Sequence, residues 1–162
     1  MASLDRQTYK SSWNPNVAEM VLKFDDDSGA GAAGTYASDV TVPAGAYIID
    51  VQVHCVAVWN AGTSAALDVG DADDADLYYD NVNCKATNLT AGEVLSFGHD
   101  GGLAGVGNTD DDGLIGGYQA AKRQVKASIV CAGTAATTGE TRIIVIWAKP
   151  TDSVSSSFTA AS

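Results

Sequence analysis

The sequence is short of the residues and segments that mark several large classes of protein. Only 7% of its 162 residues are aromatic, and it has three prolines and three cysteines. No apolar run approaches the ~20 residues that a membrane-spanning helix needs. The opening segment, MASLDRQTYKSSW, lacks the apolar stretch of a secretory leader. We therefore expect a protein that is neither inserted in a membrane nor exported, and that is made and folds in a cytoplasm.

The three cysteines, Cys55, Cys84 and Cys131, form no CxxC pair and are odd in number. This spacing suits neither a zinc site nor a disulfide framework. Cys55 and Cys131 lie in strand-like runs, where buried thiols are common. We expect all three to be reduced, as in proteins that fold in a cytosol.

Basic residues are also scarce, because 9 Lys and Arg stand against 20 Asp and Glu, for a formal net charge of -11. Between Phe24 and Cys84 there are eleven Asp and no Lys or Arg. Cationic side chains dominate binding to nucleic acid and to anionic membranes, so such a surface repels both. The acidic charge favours solubility, docking on a basic partner or cation binding, and composition alone leaves all three open.

The sequence contains no recognisable catalytic motif. It has no G-x-S-x-G elbow, no Walker sequence and no haem or zinc signature. Its two histidines are His54, in an alternating apolar run, and His99, in a glycine-rich segment beside Asp100. A hydrolytic triad needs a nucleophile within hydrogen-bond reach of an oriented base, and no motif supplies one. We expect no catalytic residue, no cofactor and no enzymatic activity.

Three aspartate clusters are the candidates for a metal site, at 25–27, 71–76 and 110–112. Calcium binds carboxylate and carbonyl oxygens in loops of this kind. The middle cluster, DADDAD, lacks the central Gly and the distal Glu of an EF-hand loop. We expect solvated loop charges and no bound metal; if calcium does bind, the candidate ligands are Asp71, Asp73, Asp74 and Asp76.

Short strand-like runs separated by turn residues predict an all-β protein. Val and Thr are common within the runs, and Gly, Asn and Asp between them. The predicted strands are 17–24, 36–42, 47–59, 64–69, 93–97, 124–131 and 141–147. The first run also fits a helical turn, and the best helical candidate, 113–123, is weakened by the two adjacent glycines at 116–117. The pattern predicts a two-sheet antiparallel sandwich or jelly roll.

The third of these runs alternates most clearly. One side is apolar and is predicted to face the core: Ile49, Val51, Val53, Cys55, Ala57 and Trp59. The other side is polar at Asp50, Gln52 and His54 and turns apolar at Val56 and Val58. A strand face that is polar at one end and apolar at the other indicates that another element or subunit covers the apolar end. Val56 and Val58 are therefore candidate interaction residues.

Composition divides the chain into three parts. Residues 1–16 are polar and irregular and are predicted to form an extended N-terminal arm, whose Tyr9 and Trp13 either anchor it on a neighbouring surface or cap its own core. Residues 17–150 are predicted to form the β-sandwich domain. Residues 151–162 form a low-complexity C-terminal tail, which we expect to lie on the surface or on a partner.

Two segments carry a resemblance to a known family. They are VPAGAYIIDVQVHCVAVWNAGTSAALDVGD, which precedes the Asp-rich loop, and the final strand TRIIVIWAKP, which follows a Gly/Thr turn. In strand and turn pattern they resemble small decoration proteins of tailed bacteriophages, over residues 42–80 and 124–150. That family often has a Pro after the acidic Asp, where this chain has Asp74-Ala75-Asp76. The loop therefore departs from the family pattern.

The resemblance implies a β-sandwich or jelly-roll cement protein on the outer surface of a phage head. Such a protein bridges subunits of the major capsid protein, often as a homotrimer, and has no catalytic residues to carry over. Its partners are then the major capsid protein and copies of itself. Its location is the virion capsid surface, after synthesis in the host cytoplasm.

The alternative is a tail, fibre or baseplate module that binds a glycan on the host surface. Sugar rings stack on exposed aromatic side chains, and Asp and Asn in neighbouring loops would bind the hydroxyl groups. The aromatic candidates for such a site are Trp59, Tyr78, Tyr79 and Tyr118, although ordinary packing is the favoured interpretation of each.

Overall fold

The computed structural model describes residues 15–26, 33–85, 89–96 and 119–149, and in these ranges the chain forms eight β-strands and no helix. The strands are β1 (Asn16–Lys23), β2 (Thr35–Val42), β3 (Tyr47–Ala57), β4 (Ser64–Gly70), β5 (Tyr79–Asn83), β6 (Val94–Leu95), β7 (Arg123–Ala132) and β8 (Glu140–Ala148). The all-β prediction is confirmed, and the first run is a strand. No membrane-spanning helix occurs in these ranges.

Several predicted features fall on residues outside these ranges. They are Tyr9 and Trp13 in the arm, His99, the aspartates at 110–112, Tyr118 and the tail at 151–162. Of the helical candidate at 113–123, the described part contains no helix, and β7 begins at its last residue.

The strands form two antiparallel four-stranded sheets: sheet I, in the order β1-β8-β3-β6, and sheet II, in the order β2-β7-β4-β5. From strand to strand along the chain, each connection passes from one sheet to the other, except that β4 and β5 lie in the same sheet. Strands distant in sequence therefore lie side by side. This strand order is that of the eight-stranded jelly-roll sandwich, so the predicted fold class is confirmed.

The core lies between the two sheets, because alternate residues of each strand point inward. The predicted inward residues of β4 and β7 are confirmed as buried: Ala65, Leu67, Val69, Val125, Ala127, Ile129 and Cys131. Met20 and Leu22 of β1 and Ile143 and Val145 of β8 meet them from sheet I. Burial of each large aliphatic side chain contributes about 1.5–3 kcal/mol to folding.

Strand β3 departs from the predicted alternation near its start. Ile49 was predicted to face the core but is 49% exposed, whereas Ile48 is buried. The register against β8 shifts between Ile48 and Asp50, which marks a β-bulge. One extra residue in a strand exchanges the side chains that point inward and outward. Beyond the bulge, Val51, Val53 and Cys55 are buried as predicted.

Strand β5 was absent from the prediction. Its buried residues, Tyr79 and Val82, are three positions apart, so the sequence YDNVN has no period of two. Asn81 between them has a positive φ of 52°, and the register against β4 shifts between Leu67 and Val69. A short edge strand with a bulge carries no alternation that sequence patterning detects.

The tripeptide Ala-Gly-Thr occurs at 61–63 and again at 132–134, and these two segments lie against each other. The Thr63 amide donates a hydrogen bond to the Ala132 carbonyl (2.8 Å), and the Gly62 amide donates one to the Thr134 carbonyl (3.1 Å). A Cβ on Gly62 would lie 2.6 Å from the Thr134 nitrogen, so glycine is required by the close approach of the two backbones. Since β4 and β7 are antiparallel neighbours, the turn before β4 meets the turn after β7.

Candidate interaction surfaces

His54 lies in a row of polar side chains on the outward face of β3. Its Nε2 is 3.2 Å from the Gln52 Oε1, and the Gln52 amide nitrogen donates to the Asp50 carboxylate at 3.0 Å. On the adjacent strand, Arg142 is the register partner of His54. The row is a hydrogen-bonded ladder along one strand, and its geometry contains no hydroxyl or thiol nucleophile.

The carboxylate of Asp71 holds the DADDAD loop between β4 and β5 in place. Its Oδ1 accepts hydrogen bonds from the amides of Asp73 (2.9 Å) and Asp74 (3.1 Å), and its own amide donates to the Asp74 carbonyl (2.6 Å). This is the Asx-turn geometry by which an aspartate closes a loop. Asp71 is 5% exposed, so this carboxylate is part of the buried structure.

Arg123 at the start of β7 is the buried partner of Asp71. The Arg123 Nε lies 3.8 Å from the Asp71 Oδ2, and its Nη1 donates to the Tyr78 hydroxyl at 2.8 Å. Burial raises the pKa of Tyr78, against the opposing effect of the Arg123 charge. The three side chains join the acidic loop, the start of β7 and the segment before β5. Charged groups are stable in the interior only when paired in this way.

The other loop carboxylates are more exposed and are not arranged as a metal cage. The Asp76 amide lies 3.4 Å from an Asp74 carboxylate oxygen, and a side-chain hydrogen bond with Asp76 raises the pKa of Asp74. Among the described residues there is no group of three or more His, Cys, Asp or Glu side chains placed to hold a metal ion. The candidate calcium ligands therefore divide into one structural carboxylate, Asp71, and three loop charges.

Three of the four aromatic side chains named as candidates for sugar stacking lie in the described ranges, and all three are buried. Trp59, Tyr78 and Tyr79 are each 1% exposed. The Tyr79 hydroxyl donates to the Val51 carbonyl at 2.6 Å and so joins sheet II to sheet I. These three rings therefore form no exposed platform for a sugar; the interpretation of each as ordinary packing is confirmed, because the core between the sheets takes up their large apolar surfaces.

The outer face of sheet I combines exposed apolar side chains with paired charges. Across the strands, Val17 lies beside Ile146, and Val94 lies beside His54. Val17 is 61% exposed and Val94 is 42% exposed. Single exposed apolar residues are ordinary, but these lie on one continuous four-stranded surface. The surface therefore offers both apolar area and polar groups to a partner.

Most of the charged side chains of this face form ion pairs. Arg142 makes ion pairs with Glu19 (3.4 Å) and Glu140 (3.1 Å), and Lys23 lies 3.9 Å from Glu140. Exposed pairs of this kind add at most about 1 kcal/mol each to stability. They do reduce the net charge of the face.

The two candidate interaction residues on β3 and after it differ in accessibility. Val56 is 44% exposed, whereas Val58 is half-buried and packs against the core. A second register shift between Cys55 and Ala57 interrupts the alternation here. Of these two residues, only Val56 is accessible as an apolar contact on the surface.

The three cysteines are buried thiols. Burial raises the pKa of Cys84 to about 12, and burial also raises the pKa of Cys55. Since the thiolate is the reactive form, we expect iodoacetamide at pH 8 to leave the native protein unlabelled and to label all three sites in urea. Mass spectrometry counts the adducts, and fast native labelling of Cys84 would contradict the prediction.

The raised pKa of Cys84 also affects the stability of the protein at high pH. The folded pKa of Cys84 lies above the ordinary value of 9.0, so its contribution to stability is complete below that pH. The contribution is lost as the pH rises from 9.0 through about 12, because the unfolded state then releases the proton first.

No protein-family model and no curated protein matches the chain. Solved structures do share its fold. A chain of the cyanophage Pam1 capsid asymmetric unit has a TM-score of 0.54 at 20% identity, covering 85% of this chain and 86% of that chain. A chain of the acidic-stable capsid structure of Helicobacter pylori bacteriophage KHP30 has a TM-score of 0.53 at 16% identity, covering 85% and 89%. The sandwich of sheets I and II is thus a fold that also occurs in phage capsids.

Proposed function

We propose that the chain is a structural protein of a tailed-phage virion and, more specifically, a decoration or cement protein on the outer surface of the head. The observation that carries this proposal is the shared fold: chains from two phage capsids match 85% of this chain. The surface residues support a binding role, since the exposed apolar groups and paired charges of sheet I suit a protein contact and no catalytic arrangement is seen among the described side chains.

Bridging of neighbouring major-capsid subunits is part of the proposal. A bridge needs at least two contact surfaces, and the two outer faces of the sandwich differ in chemistry. The outer face of sheet I has apolar groups and paired charges. Sheet II instead has the acidic loop, which connects its strands β4 and β5. Self-association as a homotrimer completes the proposal, and symmetry then repeats each contact so that weak attachments add up. Synthesis takes place in the host cytoplasm before attachment to the head.

Copy number in purified particles tests this function. A shell protein is expected at on the order of hundreds of copies per virion, as shell symmetry requires, and a tail or fibre part at far fewer. Quantitative gel densitometry against the major capsid protein measures the ratio. Deleting the gene separates the two shell roles: heads that assemble but break at lower temperature indicate decoration, whereas no heads indicate a major capsid role. A ratio matching tails would refute the proposal.

A substitution on sheet I sharpens the same test. We expect Val17→Asp to lower occupancy on particles strongly, because it places a charge among apolar contacts, while Val17→Thr keeps the shape without charge. Val17 is 61% exposed, so neither change should alter the free energy of unfolding by more than about 0.5 kcal/mol. Equal occupancy of the Asp and Thr variants would remove sheet I from the contact.

A further inference from the structure

The outer face of sheet II carries the carboxylates of Asp39 and Asp68 against one basic side chain. On its outward positions Asp39 lies beside Lys126 in the register of β2 and β7, and Asp68 lies beside Ser128 in the register of β4 and β7. The acidic loop follows β4 directly. Lys126 is the one basic residue at the outward positions of the described strands of sheet II. On sheet I, by contrast, Glu19 and Glu140 form ion pairs with Arg142 and Lys23.

A groove crosses this face. Its cavity is about 390 Å³ and is lined by small residues of β2 and β7, Ala37 and Ser128, with Asp39, Asp68 and Lys126 around them and Ala75 from the acidic loop. The loop reaches this position because β4 ends in glycine: a Cβ on Gly70 would lie 2.1 Å from the Asp74 carbonyl oxygen. Small side chains on the sheet and a loop folded against its end together make the depression.

The two carboxylates in the groove are held by neighbours. Asp68 Oδ1 accepts a hydrogen bond from the Asn81 amide at 2.8 Å, and Asp39 Oδ2 accepts one from the Gln124 side chain at 2.5 Å. An ionised carboxylate offers about four acceptor positions, so each of these groups has further capacity. Orientation by a first hydrogen bond reduces the entropy that a carboxylate loses on binding a cation.

We propose that this groove receives a basic side chain, best an arginine, from the protein to which the chain docks. The argument is charge complementarity: Asp39 and Asp68, with the loop carboxylates behind them, outweigh the single charge of Lys126. A guanidinium is planar, carries five donors and binds carboxylates through paired hydrogen bonds. The volume lies at the small end of the range for ligand sites, which suits one side chain. The identification of the partner as a capsid protein rests on the proposed function.

An arginine peptide probes the groove directly. A peptide of four arginines is titrated into the ¹⁵N-labelled full chain at low salt, and a peptide of four citrullines, which keeps the shape without the charge, is the control. We expect the arginine peptide to shift the amide resonances of Ala37, Lys126 and Ser128, and the citrulline peptide to shift none of them. Shifts located only on sheet I, or no binding of the arginine peptide, would overturn the proposal.

Matched variants distinguish binding by the groove carboxylates from attraction by the net charge of the protein. Asp39→Asn/Asp68→Asn should weaken arginine-peptide binding about tenfold, because it removes the charges while keeping oxygens that accept from Gln124 and Asn81. Asp25→Asn/Asp26→Asn changes the net charge equally at exposed positions after β1 and should weaken binding less than about twofold. Lys126→Gln should strengthen binding. Equal losses in the two double variants, or weaker binding with Lys126→Gln, would overturn the proposal.

Particle occupancy separates this inference from the function on which it rests. If the protein is abundant on heads and the groove variant occupies them fully, the groove proposal fails and the function stands. If the arginine peptide binds the groove but the protein is absent from particles, the proposed function fails and the basic-side-chain site stands.

Discussion

Replacing Arg123 with methionine is expected to lower the free energy of unfolding by about 3–5 kcal/mol, because it leaves a buried carboxylate without its cation. Asp71 is 5% exposed and Arg123 is 6% exposed, so water does not replace the lost partner. The Tyr78 hydroxyl also loses the hydrogen bond that it accepts from Arg123 at 2.8 Å. Urea unfolding followed by circular dichroism measures the change, which is a large part of the 5–15 kcal/mol typical of a domain.

Two further variants identify the cause. Adding Asp71→Asn to Arg123→Met should recover part of the loss, because the amide is neutral and its oxygen still accepts from the loop amides. Arg142→Met removes an exposed arginine with two carboxylate partners and should cost less than about 1 kcal/mol. A loss below about 1 kcal/mol for Arg123→Met would mean that the Asp71 charge is solvated or neutralised without Arg123.

Replacing Trp59 with alanine is expected to cost about 3–5 kcal/mol, the range for removing a large aromatic side chain from a core. Trp59 is 1% exposed, and its ring centroid lies 4.7 Å from that of Tyr36 at an interplanar angle of 56°. Its Nε1 donates to the Thr141 hydroxyl at 2.9 Å, so the side chain joins the segment after β3 to β8. Chemical denaturation monitored by circular dichroism measures the loss.

The packing and hydrogen-bond contributions of Trp59 can be separated. Thr141→Val keeps the shape of the side chain but leaves the buried indole N–H without its acceptor, at a cost of about 1–3 kcal/mol. Trp59→Phe removes the donor and keeps part of the ring, so it should cost less than Trp59→Ala. If Trp59→Ala cost no more than Thr141→Val, the indole would contribute through its hydrogen bond and not through packing.

Much of the fold can be predicted from the alternation of apolar and polar residues along the strands. The inward sets of β4 and β7 and the later part of β3 are buried as their alternation predicts, because a half-buried strand exposes every second residue to the core. Local sequence also places the turns, since glycine and asparagine tolerate the backbone angles that turns need. The exposure of Ile49 and the existence of strand β5 do not follow from local sequence, because both involve a β-bulge and a bulge depends on how two strands fit together.

The candidate sites show the same division between what a local sequence pattern predicts and what only the pairing of strands determines. The DADDAD loop is visible as a cluster of charge, but the role of Asp71 follows from Arg123, more than fifty positions away in the chain. Alternation already predicts that Trp59 faces the core, but no local pattern does so for Tyr78 and Tyr79, which only the packing of the two sheets shows to be core residues. Likewise, Asp39 and Asp68 become neighbours of one groove because β2 and β4 both flank β7.

Composition and periodicity were sufficient for the strand content, the acidic character and the prediction of a two-sheet sandwich, because these are properties of short segments and their sums. The pairing of strands distant in sequence decided which acidic groups are buried and paired, which are neutralised on sheet I and which remain around the groove on sheet II. Such pairings follow from the closure of the whole sandwich, since a side chain's charge environment is set by its neighbours in space.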